Sequence, residues 1–379
     1  MNSASLTKVL VTGANGFIGK NLILRLKELS EYEIITFVKE DSDKDLSDKI
    51  LEADIVIHLA GVNRPVNSAM YATVNSGLTD QIANILSSHN YKTPVIFTSS
   101  SQVTLENDYG KSKLDAENLL KELNKKNGNP VSILRLPGVF GKWCKPDYNS
   151  VVATFCYNVA NNLPINIHDR HVNLNLLHID NVVESILRAI KEGQDGFSYL
   201  TIDNETQITV GELADQIRSF KDCRSTLVSQ RVGTGFIRTL YSTYISYLPV
   251  KDFSYSVPSY NDERGVFVEM LKTKDSGQFS FFTAKPGITR GGHYHHTKTE
   301  KFLILKGNAK FNFRHILSNE THTIETSGDH YEIVETVPGW AHDISNIGDS
   351  ELVVMIWANE IFDSKKPDTI SSEVQIEKN

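Results

Sequence analysis

The apolar run Lys8-Val-Leu-Val-Thr12 passes directly into Gly13-Ala-Asn-Gly16-Phe-Ile-Gly19. A segment with apolar residues at Ile18, Leu22, Leu26 and Leu29 follows, which is the spacing of one helix face. Strand, glycine turn and helix together commit this part of the chain to the first unit of a parallel, helix-flanked sheet. The glycines let backbone N–H groups approach a pyrophosphate, and the helix N-terminus favours its charge. The cradle would be built by Gly13, Asn15, Gly16, Phe17, Ile18 and Gly19. A glycine triplet alone carries little weight, but here the strand before it and the helix after it are both present.

The second strand is expected over Glu33–Val38. An acidic residue at its end would bind a ribose 2′-hydroxyl. Lys39 stands there instead, with Glu40 after it. A lysine suits a 2′-phosphate, which points to NADPH; the competing reading is a solvated strand end. The next strand, within Asp54–Gly61, leaves through Leu59-Ala60-Gly61. Val95-Ile-Phe-Thr runs into three serines, Ser99, Ser100 and Ser101, and Tyr109-Gly-Lys-Ser-Lys113 opens a helix reaching about Leu123. Tyrosine and lysine at i and i+4 share a helix face. A nearby ammonium favours the phenolate, so the expectation is a lowered Tyr109 pKa and a phenol able to exchange a proton with a carbonyl or alcohol oxygen.

The G-x-x-G-x-x-G spacing, the serine-tipped strand and Tyr-x-x-x-Lys together resemble the extended short-chain dehydrogenase/reductase family. The resemblance implies catalytic Ser100, Tyr109 and Lys113, with Ser99 and Ser101 as rivals for the serine place. It puts Leu59, Ala60 and Gly61 on the adenine and ribose side, and has Tyr109 and Lys113 also touch the cofactor. Val131–Gly141 and Leu177–Val183 match later family segments. Residues 146–175 would form a variable substrate lobe, whose Asn161, Asn162, Asn166, His168, Arg170 and His171 suit a polar sugar or a solvated loop equally. One departure stands out. Only eight residues, Ser101–Asp108, separate Ser100 from Tyr109, fewer than the family usually has, so the site should be more open. Thr209–Phe220 opens with a capping-box pattern and reads as a late helix.

The last third of the chain changes period. Short strands are expected at Val266–Leu271, Gln278–Ala284, Lys301–Leu305, Ala309–Arg314, His322–Thr326, Tyr331–Val334, Asp343–Asn346 and Leu352–Ala358, the pattern of a sandwich or jelly roll. Within it, His293 and His295 alternate on one strand, Glu300 follows, and His342 stands at a later strand entry. Such a set can hold a divalent metal with positions left open for a ligand. Gly287, His293-x-His295, Glu300 and Gly307 carry the first motif of the cupin superfamily, and Pro338-Gly339, His342 and Asn346 its second, with the turn shifted by one residue. The resemblance implies His293, His295, Glu300 and His342 as ligands and zinc as the ion; the donor types alone also admit iron, manganese or nickel. The proton-moving base stays open among Tyr294, His295, His296 and Lys298. Residues after about 364 are polar and expected to fray.

At 379 residues, two domains are the natural division. We expect 1–247 to be the NADP-binding part and 248–379 the metal-binding part. The fold class is α/β, a Rossmann-type doubly wound parallel sheet followed by an all-β cupin (jelly-roll) domain. A net charge of −7 argues against nucleic acid as partner. Cys144, Cys156 and Cys223 lack any Cys-x-x-Cys spacing and suggest reduced thiols. No apolar run has membrane-spanning length, so no membrane partner and a cytoplasmic location are expected. The fusion as a whole resembles bifunctional capsular-polysaccharide enzymes. That implies a UDP-linked 4-keto-6-deoxy amino sugar as substrate, epimerised at C-3 and reduced at C-4, and a homodimer paired through strand edges. Two other readings are a reductase whose cupin is structural and a non-catalytic nucleotide-sugar sensor.

Overall fold

The computed structural model describes residues 6–63, 67, 70–193, 195–257, 259–262, 265–268, 271–273, 277–360 and 365–374. It divides into two compact units. The first comprises Met1–Phe140, Tyr148–Ser150 and Leu174–Ile208; the second comprises Gly141–Asp147, Val151–Asn173 and Thr209–Asn379. The helices Val151–Ala160, Val210–Thr226 and Gly235–Ile245 therefore cluster with the C-terminal unit, although they precede residue 248.

In the first unit, β1 (Thr7–Thr12), α1 (Phe17–Leu29), β2 (Tyr32–Phe37), α2 (Asp43–Glu52), β3 (Ile55–His58), α3 (Gly77–Ser88), β4 (Val95–Ser100), α4 (Asp108–Asn127) and β5 (Val131–Leu136) alternate along the chain. The strands form one parallel sheet in the order β2-β1-β3-β4-β5, closed by Phe197–Tyr199. The order reverses between β1 and β3, and ligands of such sheets bind at the carboxyl ends beside that reversal. Both faces are covered. Val9 and Val11 pack with Leu22 and Leu26 of α1 on one side, and Leu10 packs with Leu46, Ile82 and Leu120 on the other. This is why β1 reads as an unbroken apolar run and not as an alternation. A single helix joins β2 to β3, which leaves β2 at the sheet edge.

Gly19 shows why the turn must be glycine. A Cβ there would lie 2.4 Å from the Gly13 carbonyl oxygen, inside any real contact distance. Gly13 itself has φ +68, the left-handed region.

The second unit contains two five-stranded antiparallel sheets. One runs Ser254–Ser256, Glu332–Glu335, Glu300–Lys306, Leu352–Ala358, Gln278–Ala284. The other runs Thr321–Ser327, Asn308–His315, Trp340–Asn346, Thr289–Tyr294, Ile370–Ser371. Phe302, Phe311, Ile344 and Val354 fill the space between them, alternating with outward residues. The expected strand Val266–Leu271 is described at Gly265–Val268; residues 269–270 lie outside the described residues, and Leu271 is not in a strand. Thr209 caps the helix Val210–Thr226 through a complete capping box with Glu212.

The expected frayed tail is overturned for residues 365–374. Ile370–Ser371 pairs with the strand Thr289–Tyr294, and Arg314 donates to the Glu373 carbonyl oxygen at 2.9 and 2.6 Å. Backbone pairing and a guanidinium outweigh a polar composition.

Candidate functional sites

The carboxyl ends of β1, β3 and β4 carry the first group of side chains. Gly13 N–H donates to Phe37 O at 3.0 Å, and Gly16 N–H to Gly13 O at 2.9 Å, which shapes the turn. Asn15 and Gly16 are exposed on it, while Gly13, Phe17 and Ile18 are half-buried and Gly19 is buried. Leu59 and Ala60 donate backbone N–H groups to Thr12 Oγ1, both at 3.2 Å, so the Leu59–Gly61 exit lies directly beside the turn. Lys39 is exposed just past β2. Glu40, which follows it, is exposed too. The next acid, Asp41, is occupied: its Oδ2 accepts from Val38 N–H at 2.8 Å and from Lys49 Nζ at 2.7 Å.

Helix α4 delivers the tyrosine and lysine. Asn107 caps it, accepting from Gly110 N–H at 2.7 Å. The short connection Ser101–Asp108 includes one turn of 3₁₀ helix, Ser101–Thr104, lying against the start of α4. That packing requires Gly110, where a Cβ would meet Gln102 O at 2.2 Å. The three serines separate cleanly. Ser99 Oγ donates to buried Glu117 at 2.5 Å, and Ser101 is exposed. Ser100 shares a hydrogen bond with the Tyr109 phenol. Glu117 also binds Arg135 through two N–H groups, at 3.0 and 2.6 Å, and accepts from Tyr199 Oη at 3.0 Å. This carboxylate pins α4 across β4, β5 and the last strand of the sheet.

Lys113 lies one turn beyond Tyr109 and is 5% exposed. Its Nζ donates to Thr98 O at 2.9 Å and sits 4.8 Å from the Phe97 ring centre. Burial holds its pKa down to about 8, against the opposing charge of Glu117. The expected lowering of Tyr109 does not occur. Burial raises the phenol, the Ser100 hydrogen bond opposes this, and Tyr71 and Tyr148 add to the rise. The lysine's charge is spent on a backbone carbonyl, so the phenol stays a proton donor.

Two contributors escaped the sequence reading. A π-helical turn, Tyr71–Ser76, precedes α3. It sets Asn75 to bridge Val62, through both N–H (2.8 Å) and C=O (3.0 Å), to Ser112 Oγ at 2.9 Å. Such turns favour functional sites, but they leave no periodic mark in sequence. Buried His58 spans Thr12 Oγ1 (2.7 Å) and Thr79 Oγ1 (2.9 Å), and burial first, then the Lys113 charge, takes it down to about 3.

The second group lies in the C-terminal unit. His293, His295, Glu300 and His342 each offer a ligand atom, and all these atoms lie within 4.8 Å of one another. His293 pairs with His342 across adjacent strands. His295 does not share His293's strand, which ends at Tyr294. A bulge between Gly291 and His293 and the turn after Tyr294 bring the two rings to 5.0 Å all the same. His295 Nδ1 donates to Asp368 O at 2.5 Å, leaving its Nε2 3.1 Å from Glu300 Oε2. His342 Nδ1 faces Trp340 O at 3.4 Å, and its buried Nε2, without a hydrogen-bond partner, lies 3.5 Å from Glu300 Oε2. Burial first, then the neighbouring histidines, keeps His293 near 3. Neutral imidazoles with bare nitrogens converging on a carboxylate form a donor set that fits a divalent cation.

The group opens onto a cavity of about 290 Å³. Lys298, Arg290, Asp343, Phe282, Phe302 and Thr369 are among its walls. Of the four groups weighed as a base, Lys298 lines this cavity, with Nζ 2.6 Å from Glu300 Oε1. His295 belongs to the converging set, His296 Nδ1 faces Lys142 Nζ at 2.9 Å, and Tyr294 packs edge-on to His296. In the presumed substrate lobe, Arg170 pairs with Asp215 at 2.5 Å, which gives it a structural partner.

Residues 9–202 match the NAD dependent epimerase/dehydratase family, and residues 260–370 match the polysaccharide biosynthesis C-terminal domain. The UDP-2-acetamido-2,6-beta-L-arabino-hexul-4-ose reductase of Pseudomonas aeruginosa is 50% identical over 367 residues, 97% of this chain and 99% of that one. Among solved structures, the capsular polysaccharide assembling protein CapF from Staphylococcus aureus is similar at TM-score 0.66 and 42% identity, over 97% of this chain and 100% of that one. The UDP-glucuronic acid 4-epimerase from Bacillus cereus in complex with NAD shares the fold of the first unit at TM-score 0.52 and 21% identity, over 57% of this chain and 84% of that one. No helix among the described residues is long and apolar enough to cross a membrane.

Proposed function

The chain belongs to the CapF family, in which an NAD dependent epimerase/dehydratase part precedes a polysaccharide biosynthesis C-terminal domain, and from that premise we propose that it converts a UDP-linked 2-acetamido-2,6-dideoxy-4-hexulose in two steps. The cupin site epimerises C-3. The reductase site then reduces the C-4 ketone with NADPH, giving UDP-2-acetamido-2,6-dideoxy-L-talose for UDP-N-acetyl-L-fucosamine and capsular polysaccharide synthesis.

The observation that carries the two-step reading is the converging set His293, His295, Glu300 and His342 at the base of a cavity. A reductase alone needs no such set. A divalent ion held there, zinc by preference, supplies a Lewis acid for the ketone oxygen. The ketone acidifies the C-3 proton, and Lys298 in the cavity wall is placed to move it. Proton removal from one face and return on the other inverts C-3. The cavity has room for a sugar ring but not for a whole nucleotide sugar, so the diphosphate must cross its mouth. Arg290 lies there, its guanidinium 4.9 Å from the Phe282 ring centre and 3.2 Å from Thr283 O, with no carboxylate partner among the described residues.

In the reductase step the nicotinamide supplies hydride to C-4, and Tyr109 gives its proton to the C-4 oxygen while Ser100 hydrogen-bonds the same oxygen. The raised phenol and the Ser100–Tyr109 hydrogen bond support that assignment. Exposed Lys39, the first residue past Val38 at the end of the second strand, supports a 2′-phosphate and hence NADPH. The edge strand Gln278–Ala284 presents Phe281 70% exposed, which supports pairing of two chains through sheet edges. Sedimentation as a monomer at micromolar protein would exclude that dimer.

The test uses the UDP-4-hexulose in D₂O without nicotinamide, following the C-3 proton by NMR. Exchange that survives Tyr109→Phe but disappears in His293→Ala supports a separate metal-dependent epimerase. NADPH oxidation with no exchange would leave a ketone reductase whose cupin is structural.

A further inference from the structure

The segment that composition marks as a loose tail is built into the metal loop. Asp368 Oδ1 accepts from His296 N–H at 2.8 Å. Its Oδ2 accepts from Thr297 N–H and Lys298 N–H, both at 2.7 Å, and from Thr297 Oγ1 at 3.0 Å. One carboxylate thus satisfies three consecutive backbone donors in the turn that joins His295 to Glu300. The same residue's carbonyl oxygen takes the Nδ1 proton of His295 at 2.5 Å. That bond fixes the ring's tautomer and aims its bare Nε2 at Glu300.

The neighbours of Asp368 extend the grip to the other side of the site. Ser371 pairs with His293 and Ile370 with Tyr294, while Ser372 N–H donates to Gly292 O at 2.9 Å. Arg314 anchors the far end, donating to Ser372 Oγ at 2.9 Å and to Glu373 O. Thr369, between the carboxylate and the paired strand, lines the cavity.

We propose that Asp368 is a positioning residue for the cupin metal: it holds the His295–Glu300 turn and the His295 ring in ligating geometry, so that metal occupancy and docking of residues 365–374 strengthen each other. The inference rests on the metal reading of the preceding section. Its physical basis is that a ligand's outer partner sets its orientation and basicity, and loss of such a partner typically weakens binding by about 10–100-fold. Coupling of two binding events is reciprocal, so a segment that tightens the metal is tightened by it to the same degree.

The full chain, stripped of metal, is titrated with zinc against a chromogenic chelator, and the cobalt(II)-loaded protein is followed by its visible absorption. Asp368→Asn and Asp368→Ala are expected to bind zinc about 10–100-fold more weakly than the unaltered chain, with a changed cobalt spectrum. A purely structural role would lower thermal stability and leave both readings in place. A second measurement needs no variant: tryptic cleavage after Lys365 in the unaltered chain is expected to slow when zinc is added. Unchanged zinc affinity in a folded Asp368 variant, or a cleavage rate indifferent to zinc, overturns the proposal while the metal site stands. An unaltered chain that binds no zinc overturns both.

Discussion

Lys113 gives its ammonium to the main-chain oxygen of Thr98, 2.9 Å away, and burial holds its pKa down to about 8. Two opposite pH effects are expected. The folded value lies below the ordinary lysine value of 10.5, so the unfolded chain binds more protons between about 8 and 10.5, and this group's contribution to stability rises with pH through that window. Reduction should move the other way. kcat/KM for the ketone should fall above pH about 8 as the ammonium is lost, and Lys113→Arg should carry that limb upward because a guanidinium stays charged. Urea midpoints and initial rates at pH 7.5 and 9.5 check both; a flat alkaline rate profile would remove Lys113's charge from the reaction.

Gly110→Ala places a Cβ 2.2 Å from the Gln102 carbonyl oxygen. The connection Ser101–Asp108 must shift, and Ser100 moves with it. We expect a loss of about 1–3 kcal/mol from overpacking and a fall in kcat of about 10²-fold from misalignment. Chemical denaturation and steady-state rates measure the two separately. Full activity in the alanine variant would show that the connection yields without disturbing Ser100.

Arg290→Ala should raise KM for C-3 exchange about tenfold, the worth of roughly 1.4 kcal/mol, with kcat little changed. A contact made equally in ground and transition states acts on KM alone. A change confined to kcat would place Arg290 at the chemistry and not on the diphosphate.

His58 predicts a cost of acidification. Its folded pKa is about 3, against 6.5 for an ordinary histidine, because burial keeps the ring neutral. Its share of stability is present above pH 6.5 and lost as pH falls toward 3, at about 1.4 kcal/mol per pH unit. His58→Asn should be less stable at pH 7 but show a pH slope shallower by about one proton between pH 4 and 6. Equal slopes in parallel denaturation series would contradict the neutral, buried imidazole.

The second unit holds a buried ion network of its own. Lys301 hydrogen-bonds Glu335, and Arg224, from the helix Val210–Thr226, lies 3.1 Å from the same carboxylate. Glu335→Ala would take the carboxylate from buried Lys301 and half-buried Arg224 and should destabilise this unit by about 3–5 kcal/mol. Calorimetry should show one transition moving, with ketone reduction by the first unit retained at low temperature.

The parts legible in sequence were those whose chemistry is local. The glycine turn, Tyr109 with Lys113 one turn later, and His293 with Glu300 a few residues on are each fixed by short-range geometry; the structure forms the turn and brings His293 and Glu300 together. The choice among Ser99, Ser100 and Ser101 was not legible. It depends on Glu117 and Tyr109, which approach only when α4 packs on β4. The lowered Tyr109 failed for a related reason, since spacing on a helix shows that two residues share a face but not where an ammonium ends its reach. Asp368 was hidden by sequence distance, because its hydrogen bonds to residues 296–298 span 70 to 72 positions. The helix Val210–Thr226 was legible from its capping box, while Val151–Ala160 lay hidden in what reads as a polar substrate lobe.

The compressed path from Ser100 to Tyr109 has a kinetic consequence. A loop that folds over its ligand adds an opening step before product can leave, and that step often limits turnover. On this side of the cleft the path is a 3₁₀ turn braced by Gly110 against α4, with no slack to swing. Product escape past it is therefore a matter of diffusion through a fixed aperture, and added viscogen should slow it only as it slows free solute.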